Sequence, residues 1–163
     1  GGGGNNVATG DICAQEGLEL QPLSPQTKSA LQAFVSSVNQ GLTNPMDAPG
    51  VLTNVAQLRR VLEVLVADDQ IDVIILQMAS AFFTDEMAGN ASDFPKVLAE
   101  TAQHGAAPKP IVIAMDTAYP YEGTEACARQ FRHAGVPAYG SIRSACRALR
   151  RVVDYHAMSR HAR

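Results

Sequence analysis

Apolar residues along the chain alternate between helical and strand-like spacing. Leu31, Phe34 and Val35 recur at intervals of three and four residues, which predicts a helix with one buried face. Residues 71–79 and 110–116 are two apolar runs rich in β-branched residues and without alternation. Such runs are typical of central parallel strands that are covered on both sides. The pattern therefore predicts an α/β fold with a parallel sheet and helices on both faces.

The same spacing divides the whole chain into alternating elements. The predicted strands cover residues 18–23, 71–79, 110–116 and 137–140. The predicted helices cover residues 6–16, the stretch that begins at Ser24, the stretches around residues 58–65 and 94–101, residues 124–134 and the stretch that begins at Ser141. Because a glycine-rich loop that opens a helix normally follows a strand, we expect a first strand upstream of Gly1. It would complete a parallel sheet of strand order 2-1-3-4-5.

Length and composition indicate one cytoplasmic domain. The 163 residues, 46% of them apolar, suffice for one sizeable core, so we expect residues 1–163 to form a single domain. A formal charge of −3 offers no basic field for a nucleic acid, and no apolar run approaches the roughly 20 residues of a membrane span. Cys13, Cys127 and Cys146 lack CxxC or histidine partners, which predicts reduced core thiols and no metal site.

Four successive glycines, Gly1, Gly2, Gly3 and Gly4, stand directly before Asn5 and Asn6. Glycines adopt backbone angles closed to other residues and let N–H groups approach a ligand without a Cβ in the way. The helix that follows directs its positive end to the same place, an arrangement suited to a phosphate. A flexible tail or a tight turn explains the glycines equally well, because the spacing matches neither GxxxxGK[ST] nor GxGxxG.

A second candidate is the segment Asn44, Pro45, Met46 and Asp47, inside a turn-rich loop over residues 41–50. Pro45 holds Asn44 in an extended conformation and removes one backbone donor. The Asn44 and Asp47 side chains are then natural partners for nearby backbone groups or for a ligand. A loop that only holds itself together is the alternative.

Taken together, these segments form a longer pattern. It consists of Gly1 to Gly4, Asp11, Gly17-Leu18-Glu19-Leu20, Leu23-Ser24 with Thr27, Asn44-Pro45-x-Asp47, the acidic turn and strand of residues 68–76, and Ala134-Gly135-Val136-Pro137-Ala138-Tyr139. The pattern resembles the C-terminal ligase-CoA domain of the NDP-forming acyl-CoA synthetases, the superfamily of ADP-forming acetyl-CoA synthetase and succinyl-CoA synthetase. Residues 80–93 resemble nothing in that family.

The resemblance implies a flavodoxin-like domain of a larger enzyme. The family reaction is acyl-CoA + ADP + phosphate ⇌ carboxylate + CoA + ATP, with a phosphohistidine carried on another domain. ATP or ADP, Mg²⁺ and CoA would serve the full enzyme, and none would be bound tightly by this domain. The implied partners are the CoA-binding, phosphohistidine and ATP-grasp domains or subunits, with no nucleic acid and no membrane.

Carried over by residue, the resemblance assigns no catalytic residue to this chain. Phosphate binding would fall to the backbone of Gly1 to Gly4 with Asn5 and Asn6, while Asn44, Pro45 and Asp47 would shape the pocket. Two other functions fit the same fold. One is a non-catalytic structural or regulatory domain, for example in a protein acyltransferase that shares these domains. The other, a free-standing nucleotide or FMN binder, is disfavoured because the chain has five Phe, four Tyr and no Trp for stacking.

Overall fold

The computed structural model describes residues 3–36, 41–79, 93–103, 108–115 and 123–161. In chain order these form α1 (Gly3–Gln15), α2 (Pro25–Gln32), a 3-10 helix (Pro49–Thr53), α3 (Val55–Val66), β1 (Ile74–Met78), α4 (Phe94–Ala102), β2 (Ile111–Met115), α5 (Thr124–His133), β3 (Ala138–Tyr139) and α6 (Ile142–His161). This element order confirms the α/β class expected from the spacing of apolar residues.

The three strands form one parallel sheet in the order β1-β2-β3. Ile74 lies opposite Ile111, and Ile113 lies opposite Ala138. All three strands fall inside predicted strand segments, and the neighbours along the chain are neighbours in the sheet. Parallel pairing of the two long apolar runs is therefore confirmed.

Strand β2 separates two layers of core. Ile111, Ile113 and Met115 pack into a cluster with buried residues of α2, α3, α4 and α5. Val112 and Ala114 point to the other side and pack against α1 and α6. All five residues are buried, so neither face of the strand requires polar residues. The two layers of helices explain why the run lacks alternation in sequence.

Two helices begin at side-chain caps, of which the sequence analysis predicts the one at Ser24. The Thr27 N–H donates to the Ser24 hydroxyl oxygen at 3.2 Å at the start of α2, where proline occupies the first turn. The Gln57 N–H donates to the Asn54 side-chain oxygen at 3.0 Å at the start of α3. Serine and asparagine satisfy backbone donors that the first helical turn leaves unpaired, so they specify where each helix starts.

The prediction of a strand over residues 18–23 is wrong. The segment has strand-like alternation, because Leu18 and Leu20 are half-buried while Glu19 and Gln21 are exposed. It nevertheless forms no ladder with any described strand, and a groove of about 570 Å³ lies along it. A strand requires a neighbour for its backbone groups as well as a suitable side-chain pattern. The alternation alone could not supply that neighbour.

The outer edge of β1 is unpaired within the described part of the chain. The Ile74 N–H donates to the Pro110 carbonyl at 2.9 Å, so the backbone groups of Ile74 point toward β2. In a parallel pair, successive residues point their backbone groups in opposite directions. Those of Ile75 and Gln77 therefore point to the outer edge. The strand expected upstream of Gly1 would pair there, and it stays a prediction.

Helix α6 is the longest element, with 20 residues. Its first half packs on the sheet, where Ala145 and Cys146 have no exposed surface. Its second half is exposed over residues 151–158, including Tyr155 and Met158. None of the described helices combines the length and the apolar character that a membrane crossing requires.

Candidate functional site

The predicted phosphate-binding segment forms the start of α1. Gly3 and Gly4 belong to the helix rather than to a loop before it, which corrects the expected helix start near Asn6. Gly4 is exposed and has no positive φ, and beyond its chain neighbours and the nearby helix backbone no heavy atom lies within 4 Å of the position a Cβ would take. Position 4 therefore does not require glycine for its conformation. Asn5 and Asn6 are half-buried, and Gly1 and Gly2 lie outside the described residues.

Contacts between α1 and α6 define the direction of α1. The Sγ atoms of Cys13 and Cys146 are 3.6 Å apart, and the Gly17 carbonyl accepts a 3.3 Å bond from Arg150. Both pairs are separated by the same 133 residues, so the two helices run in the same direction. Because α6 follows the parallel strand β3 with two residues between them, it begins at the carboxyl edge of the sheet. Helix α1 begins at the same edge.

A side-chain hydrogen bond supports this direction. The Thr9 hydroxyl donates to the side-chain carbonyl oxygen of Gln77 at 2.7 Å, and Gln77 is the penultimate residue of β1. Thr9 is six positions after Gly3, which at a rise of 1.5 Å per residue places the start of the helix about 9 Å beyond this bond. The first turn of α1 thus extends past the carboxyl edge, where open α/β sheets bind their ligands. Sequence analysis missed Thr9 and Gln77, because no local motif links them.

The other end of α1 is held by arginines of α6. Glu16 accepts bonds from Arg143 at 2.7 Å and from Arg147 at 3.1 Å. The hydrogen bond from Arg143, with a further one from Arg147, holds the pKa of the Glu16 carboxyl below its usual value against the opposing effect of burial. Arg150 adds its bond to the Gly17 carbonyl at the C-terminal end of the helix. These cations lie where the helix dipole favours positive charge, so they anchor α1 from the end opposite its first turn.

The segment from Asn44 to Asp47 is a closed loop. Gly41 and Asp47 exchange two backbone hydrogen bonds of 2.8 and 2.9 Å. The Asn44–Pro45 peptide bond is cis. The Asn44 side-chain amide donates to the Gln21 carbonyl at 2.9 Å and so ties this loop to the segment that follows α1. Asn44 therefore has a structural partner, while the Asp47 bonds are made by its backbone.

The two predicted segments belong to parts of the chain that pack on opposite sides of the sheet. Residues 3–6 belong to the helix that packs with α6 on one side of the sheet, whereas Met46 packs against the cluster on the other side. The hydrogen bonds given by the Asn44 side chain and the Asp47 backbone lead to Gln21 and Gly41. A shared pocket stays a prediction.

Asp68 links three parts of the chain at the amino edge of the sheet. Its carboxylate accepts the Ser24 N–H at 3.3 Å and the Gln70 N–H at 3.0 Å, and its main-chain carbonyl accepts a bond from the buried Lys109 ammonium. Burial raises the pKa of the Asp68 carboxyl, but hydrogen bonds from Thr27, Gln70 and Ser24 outweigh it and leave the pKa below its usual value. The residue lies before β1, at the amino edge, so its role is to join elements rather than to bind at the carboxyl edge.

The described part of the chain offers few other groups suited to catalysis. Of the histidines whose side chains are described, His133 and His156 are exposed. The described residues contain no group of three or more His, Cys, Asp or Glu placed to hold a metal ion. The first turn of α1 carries backbone N–H groups at the positive end of a helix, an arrangement that suits an anion.

Comparison with known proteins agrees with this arrangement. The parallel sheet, its two layers of helices and a helix that starts at the carboxyl edge define a flavodoxin-like α/β domain. The family model described as "Ligase-CoA domain" matches residues 1–157, and the chain belongs to this family. The crystal structure of PH0766 from Pyrococcus horikoshii OT3 shares the fold, with a TM-score of 0.70 and 19% identity over 91% of this chain. The match covers 32% of the length of PH0766, and a search of curated proteins finds no match.

Proposed function

We propose that this chain is the ligase-CoA domain of an NDP-forming acyl-CoA synthetase. The enzyme would convert acyl-CoA, ADP and phosphate to a carboxylate, CoA and ATP, through a phosphohistidine carried by another domain. This domain would supply a binding place for the phosphoryl group and no catalytic residue. The observation that carries the proposal is the first turn of α1, which extends past the carboxyl edge of the sheet in a chain of this family.

The physical basis is the start of a helix. The N–H groups of the first turn point along the axis away from the helix, and the aligned peptide dipoles add about half a positive charge there. Glycines at positions 1 to 4 allow a phosphate to approach the backbone closely, and Asn5 and Asn6 would add amide donors. A phosphoryl group presented by a mobile histidine would be stabilised without a permanent cation in this domain.

Asn44, Pro45 and Asp47 have a supporting part in the proposal. The Asn44 bond to Gln21 and the paired bonds of Gly41 and Asp47 hold the loop in one conformation. Such a loop would shape the pocket that the phosphoryl group enters rather than react with it. Asp47 would act through its position, because a carboxylate next to a phosphate repels it.

The remaining parts of the reaction would lie in other domains or subunits. CoA, ATP or ADP and Mg²⁺ would be bound by the CoA-binding and ATP-grasp domains, and the histidine by its own domain. A cytoplasmic enzyme fits the three cysteines, which are all free and buried. The reaction also requires CoA and nucleotides, which are cytoplasmic metabolites.

The proposal is tested by two variants at one position in the complete polypeptide that contains this domain. In Gly4→Ala a methyl group enters space that no protein atom fills and adds no charge, so we expect phosphorylation by labelled ATP to fall less than in Gly4→Asp. In Gly4→Asp a carboxylate stands where the phosphoryl group would bind. At contact distance this repulsion is about 1 to 4 kcal/mol, which predicts phosphoenzyme formation slower by about fivefold or more.

Stability separates this effect from damage to the fold. An acidic residue in the first turn of a helix is favourable, so Gly4→Asp is expected to keep or slightly raise the melting temperature. A folded Gly4→Asp protein with normal phosphoenzyme formation would contradict the phosphate role. If the wild type itself formed no phosphoenzyme, the non-catalytic interaction domain would be the better assignment.

A further inference from the structure

Two buried thiols face each other between α1 and α6. The Sγ atoms of Cys13 and Cys146 are 3.6 Å apart, and the residues are 1% and 0% exposed. Both thiols are free. Val112, Ala114 and Ala145 belong to the same apolar cluster. In a disulfide the sulfurs are about 2.05 Å apart, so rotation of the side chains and a small shift of α1 would suffice to join them.

Helix α1 is suited to such a shift. Among its described side chains Cys13 alone is fully buried. The helix also contains Gly3, Gly4 and Gly10, and each interior glycine weakens a helix by about 1 kcal/mol relative to alanine. A helix with so little buried surface opens locally at a lower free-energy cost than the core strands. Such opening would expose Cys13 to small molecules while the sheet stays folded.

The pair is also chemically unequal. The hydrogen bond between the two thiols lowers the pKa of Cys13 and raises the pKa of Cys146. Burial raises the pKa of Cys146 further. Since the thiolate is the nucleophile, Cys13 is the sulfur that reacts first with an oxidant. Cys127 differs from both. It lies in α5 on the other side of the sheet, and burial raises its pKa to about 11.

We propose that Cys13 and Cys146 are a redox-modification site that closes to a disulfide between α1 and α6 when hydrogen peroxide reaches Cys13. In the first step the Cys13 sulfur attacks one peroxide oxygen, the O–O bond breaks, and Cys13 sulfenic acid and water form. In the second step the Cys146 sulfur attacks the sulfenic sulfur, the S–O bond breaks, and a second water leaves with the Cys146 proton. Peroxide gains two electrons and each sulfur loses one.

The disulfide would fix α1 on α6 through a covalent bond between residues 133 positions apart. This chemistry does not depend on what the first turn of α1 binds. Reduction by a dithiol would return both thiols, since the exchange consumes neither side chain.

The test is a map of cysteine oxidation in the folded chain. The protein is treated with hydrogen peroxide, denatured, alkylated at its remaining thiols and digested without reduction. We expect mass spectrometry to find a linked Cys13–Cys146 peptide that dithiothreitol removes, and Cys127 to be alkylated. Free Cys127 should be lost at least about tenfold more slowly than the thiols of Cys13 and Cys146, because little of the Cys127 thiol is ionised.

Two variants serve as controls. Cys127→Ser keeps the pair and should give the same linked peptide. Cys146→Ser removes the second sulfur, so Cys13 sulfenic acid should accumulate and react with dimedone. Equal oxidation of Cys127, a disulfide between two chains, or no linked peptide in the folded wild type would overturn the proposal. These three outcomes are read from the wild type, so they decide the question even if Cys146→Ser does not fold.

Discussion

The Thr9 hydroxyl donates a 2.7 Å hydrogen bond to the side-chain carbonyl oxygen of Gln77, and this bond joins α1 to the outer edge of the sheet. The bond spans 68 residues. At the other end of the helix Glu16 meets Arg143 and Arg147. The first turn is therefore positioned from one side by a neutral hydrogen bond and from the other by ion pairs.

Thr9→Val tests the first of these contacts. Valine has nearly the same shape and lacks the donor, so we expect a loss of about 0.5 to 1.5 kcal/mol in the free energy of unfolding. Urea denaturation measures it. A double-mutant cycle with Gln77→Leu isolates the pair, and additive effects of the two changes would show that the bond contributes nothing.

Asn44 is expected to act through its bond to the Gln21 carbonyl. Asn44→Asp keeps the shape but replaces the donor by a carboxylate that faces a carbonyl oxygen. It should therefore lower the melting temperature more than Asn44→Ala, whose cost is about 1 kcal/mol. Thermal melts of both variants at neutral pH compare them. A smaller loss in Asn44→Asp would mean that the side chain has another partner there.

Asp68 makes stability depend on pH. Its pKa is lowered by folding, so its contribution is complete above the unfolded pKa of about 3.9 and is lost as pH falls through the lower folded value. At pH 7 Asp68→Asn should cost about 1 to 3 kcal/mol, because one N–H donor loses its acceptor. Urea titrations from pH 7 to pH 2.5 should show the difference between wild type and variant shrinking below pH 4. If the difference in the free energy of unfolding stayed constant over this pH range, the pKa of Asp68 would not be lowered by folding.

Hydrogen exchange tests the open edge of β1. The Ile74 amide is bonded to Pro110 and should be protected, whereas the Ile75 and Gln77 amides, which point outward, should exchange faster in this chain. If a strand upstream of Gly1 pairs with β1, the same two amides become protected in the complete polypeptide. Amide exchange followed by NMR compares the two proteins. Unchanged fast exchange in the longer one would contradict the upstream strand.

The isolated chain is expected to be catalytically silent. We assign its reacting histidine, nucleotide site and CoA site to other domains. An assay for ATP hydrolysis that depends on a carboxylate and CoA should therefore give no signal above the blank. Turnover by residues 1–163 alone would refute this division of roles.

Sequence patterns determined the class of fold and the central strands. The run that became β2 is apolar without alternation because both of its faces are buried, and this requirement is visible in the residues themselves. The run that became β1 has the same pattern, although it is fully buried only at Ile74 and Met78 and half-buried between them. The start of α2 was equally local. Ser24 satisfies the N–H of a residue three positions away, so no distant contact is needed to place the start of α2.

Tertiary structure decided what depends on distant partners. Residues 18–23 have the alternation of a strand but lack a neighbour to pair with, and pattern cannot supply one. Asn44 finds its acceptor 23 residues away, Thr9 its acceptor 68 residues away and Cys13 its thiol partner 133 residues away. The partners of Thr9 and Cys13 follow from how α1 packs on the sheet and on α6, and this packing is a property of the whole core. The sequence by itself therefore determined the elements and the family resemblance, whereas only the packed structure decided which side chains meet.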